Sequence, residues 1–184
     1  MTAAVILAER SFQDEELTYA YYRCLEEGWH TDIATPLAKN VTGKYGVPAR
    51  ATQSLEWLVT DEAVRKYDLV IIPGGFESPD RLRMRADVQS FVWRMFEAYK
   101  LVAAICHGPS VLVSAGILKG LRATCYPSIK DDLINAGAVY VDNIPVVTHM
   151  NVITAPHYAQ NGPWMRAVVR YMQNDVKAET GESI

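Results

Sequence analysis

Ala103-Ala104-Ile105-Cys106-His107-Gly108-Pro109 decides how this chain reads. A short apolar run, Leu101 to Ile105, stops at a cysteine. A histidine, a glycine and a proline follow, and a new apolar segment opens with Val111 and Leu112. This is the sequence form of a strand that turns sharply into a helix with a thiol at the bend. Gly108 permits close backbone approach or unusual dihedrals. Pro109 suits the first turn of a helix, where its missing N–H costs nothing. A cysteine just before a helix N-terminus feels the positive end of the macrodipole, which favours thiolate over thiol. The thiolate is the nucleophile, so the bend predicts covalent chemistry at Cys106. A small buried core residue is the competing reading of a free cysteine, and it is the weaker one at a strand-to-helix elbow.

Outward from this bend, apolar strands alternate with helices. Ala3 to Ala8 and Leu69 to Ile72 are continuous apolar runs, as in strands buried on both faces. Ser11-x-x-Asp14 resembles a capping box. Behind it Leu17, Ala20, Tyr21, Cys24 and Leu25 recur at helical spacing, and Gly28 follows as a stop. Trp29 to Ala34 reads as a second strand and Thr42 to Gly46 as a turn, with a hairpin as one reading. Val88, Phe91, Val92, Met95, Phe96 and Tyr99 mark an amphipathic helix; Trp164, Ala167, Val168, Tyr171 and Met172 mark the last one. Short strands are expected near Ala123–Cys125, Val139–Val141, Val146–Thr148 and Val152–Thr154, with a helix near Ile129–Asn135. The pattern predicts an α/β three-layer sandwich with a mainly parallel sheet and helices on both faces. The 184 residues are read as one domain, with a tail from Asn174 that frays.

Hydrophobic residues at 49%, charged ones at 21% and a formal charge of −3 describe an ordinary soluble globule with no dedicated nucleic-acid surface. The Arg81, Arg83, Arg85 cluster is local and reads as a solvated or interface face. With no basic-then-apolar leader and no run of about 18 apolar residues, no membrane association is expected and a cytoplasmic protein is. The 3 cysteines show no metal-ligand spacing, so Cys24, Cys106 and Cys125 read as reduced thiols, and neither a metal nor a cofactor is expected. Cys24 and Cys125 read as structural.

Further motifs bear on function. They are Phe12-Gln13-Asp14-Glu15-Glu16-Leu17, Ile72-Pro73-Gly74-Gly75, Ser114 to Gly120, Tyr126 to Asp132 and Asn135 to Ala138. Together with the Cys106 bend they resemble the ThiJ/PfpI superfamily over Val5 to about Met172. The resemblance is strongest to its branch of PfpI-type intracellular cysteine peptidases, glyoxalases III and deglycases. It implies a flavodoxin-like fold akin to the class I glutamine amidotransferases. It also implies Cys106 as nucleophile, Glu16 as the acid that meets the sulfur, and His107 as a catalytic partner. Asp80 matches the acid of a neighbouring subunit thought to orient that histidine, which implies a homo-oligomer, a dimer or a trimer of dimers. Two positions depart from the pattern: Gln13 stands where a second carboxylate is usual, and Thr154-Ala155-Pro156-His157-Tyr158 replaces a Ser-Arg pair.

The residues allow roles and bland readings side by side. The acidic run Asp14-Glu15-Glu16 would by itself be macrodipole complementarity. A charged Glu16 beside Cys106 would raise the thiol pKa, whereas a protonated one would donate a hydrogen bond, so a raised Glu16 pKa is expected. His107 could act as base or be a packed histidine; Asp80 could fix its tautomer or be a surface-loop acid. The Gly75 and His107 N–H groups could hold an oxyanion, with Gly74 completing the tight turn. His149 and His157 read as structural or pocket-lining, and Trp93, Trp164 or Arg81–Arg85 as places for subunit contacts. The expected activity is a cofactor-free cysteine enzyme acting on a small carbonyl substrate, glyoxalase III-like or deglycase-like. An intracellular peptidase or amidase acting on peptides, and a non-catalytic oxidative-stress sensor or chaperone, are the alternatives.

Overall fold

Runs of valine, isoleucine, leucine and alanine too short for a helix, bounded by polar or glycine-rich breaks, become the middle strands of one sheet. The computed structural model describes residues 2–180, with side chains through Gln173. In chain order the elements are β1 (Ala3–Leu7), α1 (Asp14–Glu26), β2 (His30–Thr35), β3 (Val41–Thr42), β4 (Pro48–Ala49), β5 (Gln53–Ser54) and α2 (Asp61–Lys66). Next come β6 (Leu69–Ile72), α3 (Glu77–Arg83), α4 (Ala86–Glu97), β7 (Leu101–Ile105) and α5 (Pro109–Ser114). The rest are β8 (Arg122–Ala123), α6 (Lys130–Asn135), β9 (Val139–Tyr140), β10 (Val147–His149), β11 (Val152–Ala155) and α7 (Asn161–Thr180). Residues 181–184, part of the tail expected to fray, lie outside the described residues.

The main sheet has seven strands in the order β10-β11-β7-β6-β1-β2-β5. Every neighbouring pair is parallel except the β10–β11 edge. Successive side chains of a strand point to opposite faces, so each central strand feeds two cores. Val5, Leu7, Val70, Ile72, Val102 and Ala104 pack with Phe91 and Met95 of α4 and with Val111 and Leu112 of α5. Ala4, Ile6, Leu69, Ile71, Ala103 and Ile105 pack on the other face with Leu17 and Ala20 of α1 and with Trp164 and Val168 of α7. This is the expected three-layer α/β sandwich with a mostly parallel sheet.

Register positions the functional end. Ile72 pairs with Ala104, and Ala155 with Ile105. The carboxyl ends of β6, β7 and β11 therefore lie side by side, and the loops that leave them meet. In open parallel sheets that edge is where ligands bind.

Three expectations are corrected. The Ser11–Asp14 capping box does not form: Gln13 is the α1 N-cap, and no side chain caps it. Ser11 instead sits at φ 59°, and the buried Asp14 carboxylate accepts the Tyr45 and Val47 N–H groups, each at 2.8 Å. The acid braces the β3–β4 hairpin because two N–H donors in that tight loop have no strand partner. Trp164 is fully buried under the sheet, so it cannot serve as a contact between subunits, whereas Trp93 is 48% exposed. Asp80 belongs to the first turn of a helix, α3, rather than to a loop.

Candidate active site

The bend after β7 is built on a strained cysteine. Cys106 has φ 60°, a region that a residue with a Cβ enters only when its surroundings hold it there. Two main-chain bonds do so: Cys106 N donates to Ala155 O and Cys106 O accepts from Tyr126 N, both at 2.9 Å. Gly108 keeps an ordinary helical φ of −50°; its requirement is space, since a Cβ there would lie 2.3 Å from Ile72 O. Gly75 adopts φ 77°, and its N–H and that of His107 are directed at the Cys106 sulfur.

Glu16 reaches this sulfur from the first turn of α1. It is fully buried, and its Oε2 accepts the Gly74 N–H at 2.5 Å, while Oε1 has no hydrogen-bond partner. An ionised buried oxygen with no donor is costly. Burial accordingly pushes the Glu16 carboxyl up to about 8, against the opposing pull of the Gly74 N–H and Cys106. The expected raised pKa is present, and its leading cause is desolvation.

The expectation that a helix dipole sets an ionised Cys106 needs correction. The sulfur-bearing residue is 6% exposed, and α5 is only 6 residues long. Burial, then repulsion from a charged Glu16, pushes the thiol up to about 12, while the Gly75 and His107 N–H groups pull it down. The repulsion exists only while Glu16 is ionised. A proton on Glu16 turns it from an opponent of the thiolate into a donor to it, so the two groups titrate as a coupled pair.

His107 Nδ1 lies 3.3 Å from Cys106 Sγ, and Nε2 lies 3.0 Å from Ser128 Oγ. Both ring nitrogens are engaged, neither of them by Asp80. Burial, then Lys44, holds the imidazole below its ordinary value, which keeps it neutral at pH 7. Asp80 lines an adjoining cleft of about 320 Å³ with His107, Ser128, Phe76 and Arg83. Sequence proximity thus does bring His107 to the sulfur, whereas Asp80 shares a cleft with the histidine without bonding it.

The Cys106 pocket encloses about 240 Å³ and is lined by Gln13, Lys44, Tyr45, Gly75, Phe76, Cys106, His107, Tyr126, His157 and Tyr158. His107 stacks on Tyr126 at 4.6 Å between ring centroids, Tyr126 faces His157 at 5.9 Å, and His157 meets Tyr158 at 3.9 Å. The Thr154–Tyr158 segment therefore supplies one wall of the pocket through its rings. The Gln13 amide donates to Glu15 Oε2 at 2.6 Å. The sequence assigns no role to Lys44, Tyr45, Tyr126 or Ser128: the first two lie in the turn at Thr42–Gly46 and the last two in the Tyr126–Asp132 motif, and no local signal shows which loop a hairpin will lean on.

His149 Nδ1 accepts from Arg122 N at 3.0 Å, and His30 pairs with Asp32 at 3.1 Å, both away from the pocket. Cys24 and Cys125 are fully buried, and burial pushes each thiol up to about 12. Among the described residues, no three His, Cys, Asp or Glu side chains are placed to hold a metal ion. Nor is any described helix long and apolar enough to cross a membrane.

Comparison with known proteins agrees with this architecture. The family model of the DJ-1/PfpI family matches residues 1–171. A deglycase from Pyrococcus horikoshii is 37% identical over 169 residues, spanning 92% of this chain and 98% of its own. Deglycase PfpI from Pyrococcus furiosus is 36% identical over the same length and the same shares. The crystal structure of Drosophila melanogaster DJ-1beta superposes with a TM-score of 0.85 at 23% identity, over 100% of this chain and 99% of that one, which shows the shared fold. With the elbow cysteine, its buried glutamate and a family match that runs nearly end to end, the chain belongs to the DJ-1/PfpI family.

Proposed function

We propose that this protein is a cysteine-dependent deglycase of PfpI type, which removes 2-oxoaldehyde adducts from amines and thiols and converts the released carbonyl to a 2-hydroxy acid. One observation carries the chemistry: a Cys106 sulfur held at φ 60° between two N–H donors, a buried Glu16 and the His107 ring. The deglycase names of relatives 35–38% identical support the substrate class.

The residues divide the work as follows. The carbinol of an amine adduct loses its O–H proton, the nitrogen gains one, and the C–N bond breaks to give amine and aldehyde. The Cys106 thiol passes its proton to His107 Nδ1, 3.3 Å away, as the sulfur adds to the aldehyde carbon, and the former carbonyl pair becomes an oxyanion beside the Gly75 and His107 N–H groups. One proton then moves from that carbon to its neighbour through an enediol, with His107 or Glu16 as carrier. The thioester that results is hydrolysed by water. The sum is adduct plus water giving amine plus 2-hydroxy acid, with no external oxidant.

Tyr126, His157 and Phe76 shape the pocket, and Gly74 keeps room for the acid–thiol pair. Asp80 would act on His107 from a neighbouring copy in a homo-oligomer, and the protein would work in the cytoplasm. The test supplies methylglyoxal-modified N-acetylarginine, free methylglyoxal, a peptide amide and peroxide in parallel. Amine release with lactate formation, both lost in Cys106→Ala, is expected. Lactate from free methylglyoxal without amine release would make it a glyoxalase. Peptide cleavage at comparable efficiency would make it a peptidase, and sulfur oxidation without turnover would make it a sensor.

A further inference from the structure

The Cys106 pocket is lined by rings, amides and a single cation. Among the described residues lining it, Lys44 is the only lysine or arginine, and no carboxylate joins it there. Lys44 is exposed, sits in no ion pair among the described residues, and its ammonium lies 5.2 Å from the centroid of the Tyr45 ring. A surface lysine needs no explanation by itself, but this one rests on a built platform. Lys44 N donates to Phe12 O at 2.9 Å, Gly43 N to Val47 O at 2.9 Å, and the buried Asp14 carboxylate clamps the Tyr45 and Val47 N–H groups. The base of the side chain is thereby fixed at the pocket mouth, while the head keeps its freedom. Its field is felt inside, because it helps hold the His107 imidazole below its ordinary value. Neither neighbouring acid pairs with Lys44 among the described residues. Asp14 is committed to two main-chain donors, and Gln13, the pocket residue on the α1 side, is a neutral amide bonded to Glu15. Tyr45, Phe76, Tyr126 and Tyr158 line the same pocket, and since Tyr45, Phe76 and Tyr158 are themselves exposed, an ionic contact to Lys44 there is only partly shielded from water.

We propose that Lys44 is a specificity-determining residue that receives a carboxylate carried by the substrate, so that the site prefers anionic 2-oxoaldehydes and their adducts to neutral ones. This rests on the carbonyl reading of the site given above. The carboxylate takes no part in bond making: it pairs with the ammonium while the aldehyde carbon stands at Cys106.

Two matched pairs of reagents test it on the full-length protein. The first compares kcat/KM for 4,5-dioxopentanoate, which hydrates and rearranges to 2-hydroxyglutarate, with that for its neutral counterpart 2-oxopentanal, which gives 2-hydroxypentanoate. The second compares alkylation of Cys106 by iodoacetate and by iodoacetamide, located by peptide mass. In both alkylations the sulfur forms a C–S bond and iodide leaves, so neither depends on turnover. In Lys44→Met, the anionic-to-neutral ratio should fall about fivefold in each pair, the size of one partly shielded ion pair. Lys44→Arg should keep most of it. Raising the salt from 0.05 to 0.5 M should narrow the wild-type ratio.

Equal ratios in wild type and Lys44→Met, in both pairs, overturn the proposal. If neither oxoaldehyde is turned over but the alkylation ratio falls in Lys44→Met, the carbonyl reaction is wrong and the anion site stands. If turnover proceeds and neither ratio moves, the reaction stands and the anion site is wrong.

Discussion

Glu16 and Cys106 meet across Gly74: a methyl group built there would lie 2.8 Å from Glu16 Oε2 and 2.6 Å from Cys106 Cβ. Three elements converge on that point. Glu16 comes from α1, Gly74 from the loop that leaves β6 and Cys106 from the bend that follows β7. The contact exists because the parallel register puts the strand ends at one level.

Gly74→Ala should therefore fail both as a fold and as a site. Overpacking at such contacts costs about 1–3 kcal/mol, and the carboxyl and sulfur must part to admit the methyl. Urea denaturation should show the loss, and kcat/KM should fall at least about tenfold, as misplacement of reacting groups does. Full activity in this variant would mean that the acid–thiol contact is dispensable.

Glu16 makes stability depend on pH with a definite sign. Its folded pKa, about 8, is above the ordinary 4.5. Between those values the folded state holds a proton that the unfolded chain has released, so stability falls as pH rises through that window. Glu16→Gln removes this slope. The stability of the variant relative to wild type should rise from pH 5 to pH 8 by up to about 4 kcal/mol, read from paired urea titrations. A difference that stays flat across the range would put an ionised glutamate in the folded protein at pH 5.

Asp14→Ala leaves the Tyr45 and Val47 N–H groups without their acceptor. A loss of about 2–3 kcal/mol is expected for these charge-assisted bonds. The loosened hairpin carries Lys44 and Tyr45 away from the pocket, so KM should rise more than kcat falls. Unchanged KM with lowered stability would confine Asp14 to a structural role.

His107 should titrate below its ordinary 6.5, because burial and then Lys44 disfavour its protonated form. An acid limb of kcat/KM governed by the imidazole would accordingly lie below pH 6.5. In Lys44→Met the His107 resonance, followed by NMR, should titrate at higher pH than in wild type. No movement would show that the ammonium stays out of reach of the ring.

Much of this protein is legible in its sequence because the deciding signals are local. A continuous apolar run marks a strand buried on both faces, and Leu69–Ile72 and Leu101–Ile105 follow that rule. The elbow is readable from Cys106 to Pro109, since a strand, a glycine and a helix-opening proline leave the chain few conformations. The misreadings also have a local origin. Ser11-x-x-Asp14 satisfies a capping pattern, yet the Asp14 carboxylate found two better donors 31 and 33 residues away. Helical spacing placed Trp164 on an apolar stripe, but only the packed fold shows that α7 buries it completely.

The alternation of the central strands with the long helices, the bend that carries the thiol and the candidacy of Glu16 were thus settled by the chain of residues alone, through periodicity, backbone restrictions and family motifs, whereas α3 and β5 left no such signal. What required the folded molecule was everything that depends on distance between remote segments. Burial, and not the helix dipole, dominates Cys106 and Glu16, the partner of His107 within the chain is Ser128, and a hairpin tied down by Asp14 sets Lys44 at the pocket mouth. Solvation and through-space charge have no signature in residue spacing, because they are properties of what surrounds a group and not of what precedes or follows it.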